Sequence, residues 1–288
     1  VTFDTKLATG TIANATNVYA GFIDAGGMYM GQTAGIPAKQ LGDAVYFKAY
    51  AKLTDGSYVY SDIVGYNAVA YAKSILKNSS NEHMKRLVIA MINYGAEAQK
   101  FFNYNTDSLM NSFLTEEQQA MISAYDASMI APLASVDSAK VGMFTYNQGD
   151  FARRYNSVSF DGAFSINYYF TAKGKPDNGM KFYYWNLADY NAATVLTPEN
   201  ATGTMDMVEG ENYQFWGQVP NIAAKQVDET VFVAGVYELD GVTYTTGILA
   251  YSLGRYCQKI AADDTSDQQA FSATAVYGYY AKEYFANL

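Results

Sequence analysis

The sequence predicts an α+β fold of two repeated units. Each unit is expected to be an antiparallel, sandwich-like β-sheet followed by an αα-hairpin packed on it. Three observations lead there. The stretch DGSYVYSDIVGYNAVAYAKSI (55–75) aligns without gaps on DGVTYTTGILAYSLGRYCQKI (240–260), so Asp55, Gly56, Ile63, Tyr66, Tyr71 and Ile75 recur as Asp240, Gly241, Ile248, Tyr251, Tyr256 and Ile260. GQTAGIPAKQ (31–40) matches GQVPNIAAKQ (217–226), and Tyr94, Gly95, Ala98 and Phe102 return as Tyr277, Gly278, Ala281 and Phe285. In each copy short β-patterned runs come first and two helix-patterned runs follow, the order of an α+β unit.

The first 60 residues read as β, with strands at 17–22, 28–32 and 44–53. Asp55-Gly56 offers a type I′ turn into SYVYSD, since both residue types tolerate positive φ. A helix over 63–77, the loop KNSSN and a helix over 82–102 make the first αα-hairpin. In the second of these helices Met84, Leu87, Val88, Met91, Ile92, Ala98, Phe101 and Phe102 recur in steps of three and four, which marks one buried face. Gly95 falls on that face, where a missing Cβ lets another backbone come close. Ser79 and Glu82 have the spacing of a capping box, as do Thr115 and Gln118 ahead of a helix predicted over 114–129.

Pro132 ends that helix, and the units are expected at 1–130 and 141–288 with a linker at 131–140. The second unit should open with a strand near VGMFTY (141–146) and a hairpin, SVSFDGAFSINYYF (157–170), turning at Asp161-Gly162. KFYYW (181–185), NYQFWGQV (212–219) and ETVFVAGVYEL (229–239) continue the sheet, and helices over 247–262 and 265–285 close the unit. The first unit has no counterpart of SVSFDGAFSINYYF. Either it is N-terminally incomplete or its sheet is smaller, and a chain opening on Val1 is expected to be a piece of something longer.

Composition narrows the function. The net charge of −9 opposes nucleic-acid binding, which needs clustered Lys and Arg, and Arg153-Arg154 is the one adjacent arginine pair. A single cysteine, Cys257, excludes an internal disulfide and reads as a small buried hydrophobe. No apolar run reaches the ~20 residues that span a bilayer. An acidic, cysteine-poor, tyrosine-rich and repetitive chain suggests a secreted or surface protein of a bacterium.

Catalytic parts are scarce. One histidine, His83, in the first turn of a helix and expected at its surface, and one cysteine do not assemble a zinc site or a nucleophile–histidine pair. Asp263, Asp264 and Asp267 lack the spacing of a calcium loop and read as helix-start residues. Asp161 and Asp240 belong to turns, while Glu97 and Glu283 read as solvated helix positions, so no acid pair of the glycosidase kind stands out. The expectation is a non-catalytic chain with no cofactor and no metal.

Aromatics offer the other route to function. Trp185, Trp216, Tyr183 and Tyr213 crowd the strands of the second unit, and consecutive aromatics on a strand must place some on each face. Those on an open face could stack on sugar rings or dock a protein; those facing inward fill the core. These four are the candidate partner-binding residues.

Tyr60-Ser61 at the head of the first helical hairpin, then Asn93, Tyr94, Gly95, Ala96, Ala98, Gln99, Phe102, Asn103 and Tyr104, then Thr106, Asp107, Leu109 and Asn111, form a pattern. It resembles a repeat module (NYGAxAQxFFNY type) of large secreted and surface proteins of gut Clostridia. The second unit departs from it at Tyr280 and Lys282. The resemblance implies a surface or secreted module contacting a host protein or glycan. It extends to a group of B-cell superantigens that bind immunoglobulin variable regions. A structural spacer repeat and a carbohydrate-binding or glycoside-active module are the alternatives.

Overall fold

The computed structural model describes residues 35–147, 155–159, 162–263 and 267–288 in full, the backbone of Arg153 and Arg154, and the backbone of four two-residue strands within the first 34 residues. The chain divides into two compact units, Val1–Ile122 and Ser123–Leu288. Every pairing between the described strands is antiparallel, and six α-helices accompany them, so the fold is α+β.

In the first unit the strands are β1 (Thr2–Phe3), β2 (Asn17–Val18), β3 (Ile23–Asp24), β4 (Tyr29–Met30), β5 (Val45–Lys48), β6 (Tyr50–Lys52), β7 (Tyr58–Tyr60) and β8 (Val64–Tyr66). They make a sheet of order β2-β1-β5-β8 and two hairpins, β3-β4 and β6-β7. The positions predicted as strand at 19–22, 28 and 31–32 lie outside the described residues. At the β6–β7 turn only Gly56 has positive φ, +85°, whereas a type I′ turn needs two such residues. Asp55 instead accepts from the Ser57 N–H at 2.9 Å and its hydroxyl at 2.6 Å, an Asx turn.

Helix α1 (Ala68–Asn78) starts later than predicted, because Val64–Tyr66 is taken into the sheet opposite β5. Its cap is Asn67, which accepts from the Ala70 N–H at 2.7 Å. Helix α2 (Glu82–Phe101) is capped by Asn81, which accepts from the Met84 N–H at 3.0 Å. The Ser79–Glu82 capping box does not form. The Ser79 N–H still closes α1 on the Ile75 carbonyl, and Glu82 turns to Lys85 at 2.8 Å. Val88, Ile92 and Ala96 of α2, with Ala72 of α1 and Met110, form the core of this unit. Phe101 and Phe102, expected on the buried face, are 39% and 37% exposed, since the helix ends there.

The predicted helix over 114–129 is a single turn, α3 (Glu116–Gln119), behind the expected Thr115–Gln118 capping box. Further on, Asp126 accepts from the Ser128 N–H at 2.9 Å and caps a separate 3-10 turn, Ala127–Met129.

The second unit contains β9 (Arg153–Ser159), β10 (Phe164–Thr171), β11 (Met180–Trp185), α4 (Leu187–Ala192), β12 (Gly203–Asp206), β13 (Val208–Glu209), β14 (Gln214–Ile222), β15 (Val231–Leu239), β16 (Val242–Thr245), β17 (Leu249–Tyr251), α5 (Leu253–Ala261) and α6 (Gln268–Ala286). One sheet has the order β13-β14-β10-β9; the other is β12-β11-β15-β16, with β17 also on β15. The two meet face to face. Tyr168 and Phe170 lie 5.6 and 6.4 Å from the Phe182 ring, and a Cβ added at Gly217 would sit 2.7 Å from it. On its far side the second sheet carries a second core of Trp185, Phe232, Phe144, Tyr190 and Leu196, in which Tyr190 stacks on Phe232 at 3.5 Å.

The expected linker 131–140 belongs to this core. The Ala134 N–H donates to Thr230 Oγ1 at 2.9 Å, the Asp137 N–H to the Tyr190 hydroxyl at 2.7 Å, and Val136 packs beneath. VGMFTY is no strand; it is a 3-10 turn, Gly142–Phe144, that seats Phe144 at 0% exposure. Asp240 and Gly241 have φ of +52° and +73°, the two positive values of a type I′ turn. Helix α5 begins at Leu253 because Leu249–Tyr251 pairs with β15. Its cap, Ser252, accepts from the Arg255 N–H at 3.0 Å.

Candidate binding face

The four aromatic candidates do not share a surface. Trp185 is fully buried, with its ring 5.0 Å from Phe144 and its indole N–H donated to Asn200 Oδ1 at 2.9 Å. A side chain so enclosed cannot touch a partner, so Trp185 is corrected to a core residue. Tyr183 is part-buried against the same cluster, 5.6 Å from Phe144. Tyr213 is 45% exposed just before β14, in left-handed backbone at φ +57°. Trp216 alone sits in an organised setting.

That setting follows from strand alternation. On β10 the even positions Ile166, Tyr168 and Phe170 are fully buried against the other sheet, so Asn167, Tyr169 and Thr171 point the opposite way. On β14 Phe215, Gly217 and Val219 are inward, so Gln214, Trp216 and Gln218 are outward. The register then lines up one row across all four strands: Val208 opposite Trp216, Trp216 opposite Tyr169, Tyr169 opposite Tyr155. Tyr155 and Tyr169 stack at 4.1 Å with 20° between planes, and the ends of the row, Tyr155 and Val208, are 52% and 45% exposed.

Beside this row runs a polar one, Gln218 opposite Asn167 opposite Ser157. Gln218 Nε2 donates to Asn167 Oδ1 at 2.8 Å, and Asn167 Nδ2 donates to Ser157 Oγ at 3.0 Å. Ser157 Oγ lies 3.2 Å from the Tyr169 hydroxyl and ties the two rows together. None of these residues is charged, and neither are Gln214, Thr171 and Pro220 beyond them.

Comparison with protein-family models, with curated proteins and with solved structures returns no match.

Acid–base and metal chemistry have little to work with elsewhere. Among the described residues no group of three or more His, Cys, Asp or Glu could hold a metal ion. Asp264 of the acidic trio lies outside them, and Asp267 precedes α6 without a side-chain cap bond. Hydrogen bonds from Ser57, Lys85 and Ser128 hold the Asp55, Glu82 and Asp126 carboxyls below their ordinary range, the opposite of what a general acid requires. Burial pushes the Cys257 thiol well up, which leaves it unreactive. His83 is half-buried rather than exposed. Among the described residues no helix is long and apolar enough to cross a membrane.

Two hollows remain. One, of about 470 Å³, is lined by Val141, Phe144, Tyr146 and Ile248 and is apolar. The other, of about 220 Å³, lies in the first unit between Asp43, Asn67, Lys73 and Gln99 and carries one carboxylate, to which the Tyr104 hydroxyl donates at 2.6 Å. Neither pairs two acids.

Sequence reasoning reached Trp216 and missed Tyr169, Tyr155, Asn167 and Gln218. Their signal was present in the alternation of SINYYF, but which strand pairs with which at what register is a long-range property.

Proposed function

We propose that the chain is a non-catalytic binding module of a secreted or surface-displayed bacterial protein, and that the open face of the β13-β14-β10-β9 sheet is its contact surface. The observation that carries this is the cross-strand row Val208–Trp216–Tyr169–Tyr155. It lines up large side chains on the outward side of the sheet, with its ends Tyr155 and Val208 exposed, and rigid aromatics give contact area at low ordering cost. Two partner classes follow. An immunoglobulin variable region is implied by the resemblance to the clostridial repeat module alone; a glycan is the alternative, since the side chains of the two rows are uncharged.

We also read the two units as copies of one design. The same Ala-Lys-Gln triplet forms a 3-10 turn at Ala38–Gln40 and Ala224–Gln226. A short strand and an Asx or Ser cap precede α1 and α5 alike. The long helices α2 and α6 each set a glycine, Gly95 or Gly278, against the segment of that turn. On this reading the helical pairs pack on the 3-10 turn as the repeated element.

The test is capture by the immobilised chain from separate pools of immunoglobulin, mucin and polysaccharide, repeated with Trp216→Ala and Tyr169→Ala. Retention that both substitutions abolish is expected. Retention that neither alters removes the open face as the contact surface, and no retention from any pool leaves the spacer reading.

A further inference from the structure

We infer, on the reading of the two units as copies, that the outer edge of β6 in the first unit takes up an extended segment of a partner protein. The segment adds as an antiparallel strand with an acidic residue between two apolar ones, at a surface apart from the aromatic row. One detail fixes the register between the copies. The Ala49 N–H donates to Ser61 Oγ at 3.0 Å, and the Ala49 carbonyl accepts from the Ser61 N–H at 3.0 Å. The Gly235 N–H donates to Thr246 Oγ1 at 2.9 Å, and the Gly235 carbonyl accepts from the Thr246 N–H at 3.0 Å. The same hydroxyl device at the same place makes Ala49 the equivalent of Gly235, Tyr50 of Val236 and Lys52 of Glu238.

In the second unit β11 covers the far edge of β15 at these positions. Lys181 stands opposite Val236, and the Asp177 N–H donates to the Glu238 carbonyl at 2.8 Å. In the first unit β1 lies beside Phe47 and Lys48, and among the described strands none continues that pairing along Tyr50–Lys52, which pair with β7 on the other side. Backbone groups alternate in direction along a strand. Ala49 turns its own toward Ser61, so Tyr50 and Lys52 turn theirs to the outer edge. Sheet edges are commonly blunted by lysine. Here Lys48 and Lys52 lie instead over the Tyr60 and Tyr58 rings of β7, 5.4 and 5.9 Å from the centroids, on the side away from that edge. Residues 51–59 are all exposed, Leu53 and Val59 at 44% and 50%.

The same register sets the chemistry of the incoming strand. Its residue opposite Tyr50 shares a face with Lys48 and Lys52, so an acid there is favoured by cross-strand charge pairing. In the second unit Lys181 holds that place, and Glu238 stands where the first unit has Lys52. The residues on either side fall on the face of Ala49, Ala51 and Val59, as Met180 and Phe182 fall on the buried face of β11, and are apolar. Backbone bonds then give the affinity and the alternating side chains the selectivity.

The experiment is fluorescence anisotropy of the full chain with a labelled peptide of residues 176–182 carrying Lys181→Glu. The unaltered peptide and the Glu peptide N-methylated at residue 181 are the controls. Expected is binding of the Glu peptide about threefold tighter than the Lys peptide, as for an exposed charge pair, and a loss of about tenfold or more on N-methylation, which removes a backbone donor. Lys52→Glu should reverse the preference between the two peptides. Lys52→Pro, which removes an N–H that the hairpin does not use, should abolish binding, and Trp216→Ala should leave it unchanged. No binding, or binding indifferent to N-methylation and to both Lys52 variants, overturns the inference. Self-association of the chain that Lys52→Pro abolishes also overturns it, by giving the edge to a second copy. Amide exchange in the free chain tests the copy reading separately. Ala49 and Gly235 protected alike keep that reading whatever the peptides do, whereas Ala49 unprotected beside a protected Gly235 removes it and the inference together.

Discussion

At the scale of single residues, two glycines and one cysteine show how closely the parts are fitted. A Cβ at Gly278 would lie 2.6 Å from the Cβ of Val227, a branched side chain with no room to move, whereas at Gly95 the nearest atom is the flexible Met110 sulfur at 2.2 Å, with the Ala38 carbonyl at 3.2 Å. Alanine gains about 1 kcal/mol of helix propensity over glycine, while overpacking costs about 1–3 kcal/mol. Gly278→Ala is therefore expected to lower stability by about 1–2 kcal/mol in urea denaturation, and Gly95→Ala by less. Cys257, 0% exposed and with its thiol pushed up by burial, should resist alkylation in the native chain near pH 8 and react fully in denaturant. Native-state labelling would show that α5 opens. The two tryptophans separate by the same measure. Trp185→Ala is expected to cost about 3–5 kcal/mol as a core truncation, while Trp216→Ala should cost about 1 kcal/mol or less and act on binding.

At the scale of elements, the connector after α2 depends on one buried amide. Gln99 is 2% exposed; its Nε2 donates to the Asn105 and Ser108 carbonyls at 3.3 and 3.2 Å, and its Oε1 accepts from the Met110 N–H at 2.9 Å. Gln99→Leu removes all of these and strands a buried N–H, worth about 1–3 kcal/mol. The expected outcome is that loss of stability together with faster proteolytic cleavage within 103–111. In α6 the corresponding residue is Lys282, which pairs with Asp228 at 2.8 Å. Helix identity was legible from period 3.6, yet Gln99 was hidden in it, because a polar residue at a periodic position reads as surface until its partners are known. The starts of α1 and α5 were misplaced for a related reason: Val64–Tyr66 and Leu249–Tyr251 have a local pattern compatible with helix, and pairing with β5 and β15 overrides it.

At the scale of the molecule, the second unit contains two sheets, the layer of 131–144 with α4, and the α5–α6 pair, with cores on both sides of the β11–β15 sheet. A unit that encloses its own cores should fold unaided. The fragment 123–288 is expected to unfold in one cooperative transition in urea, while a fragment starting at 141, the boundary suggested by Pro132, should lose cooperativity because it lacks the strip that covers Trp185 and Phe232. Equal cooperativity of the two fragments would show that the strip is dispensable.

The amino-acid order alone determined the α+β class, the strands β10, β11, β14 and β15, the hairpin turn at Asp240-Gly241, and the existence of the long helices, because each follows from periodicity or turn chemistry within a few residues. Tertiary structure alone decided that Trp185 lies in the core while Trp216 lies part-buried on the outward side of its sheet. Both are tryptophans in aromatic strands, and no local pattern tells them apart. What separates them is which sheet each strand joins and which layer then packs on it: 131–144 and α4 close over Trp185, and Trp216 falls in register with Tyr169 and Tyr155 on the side away from the opposing sheet.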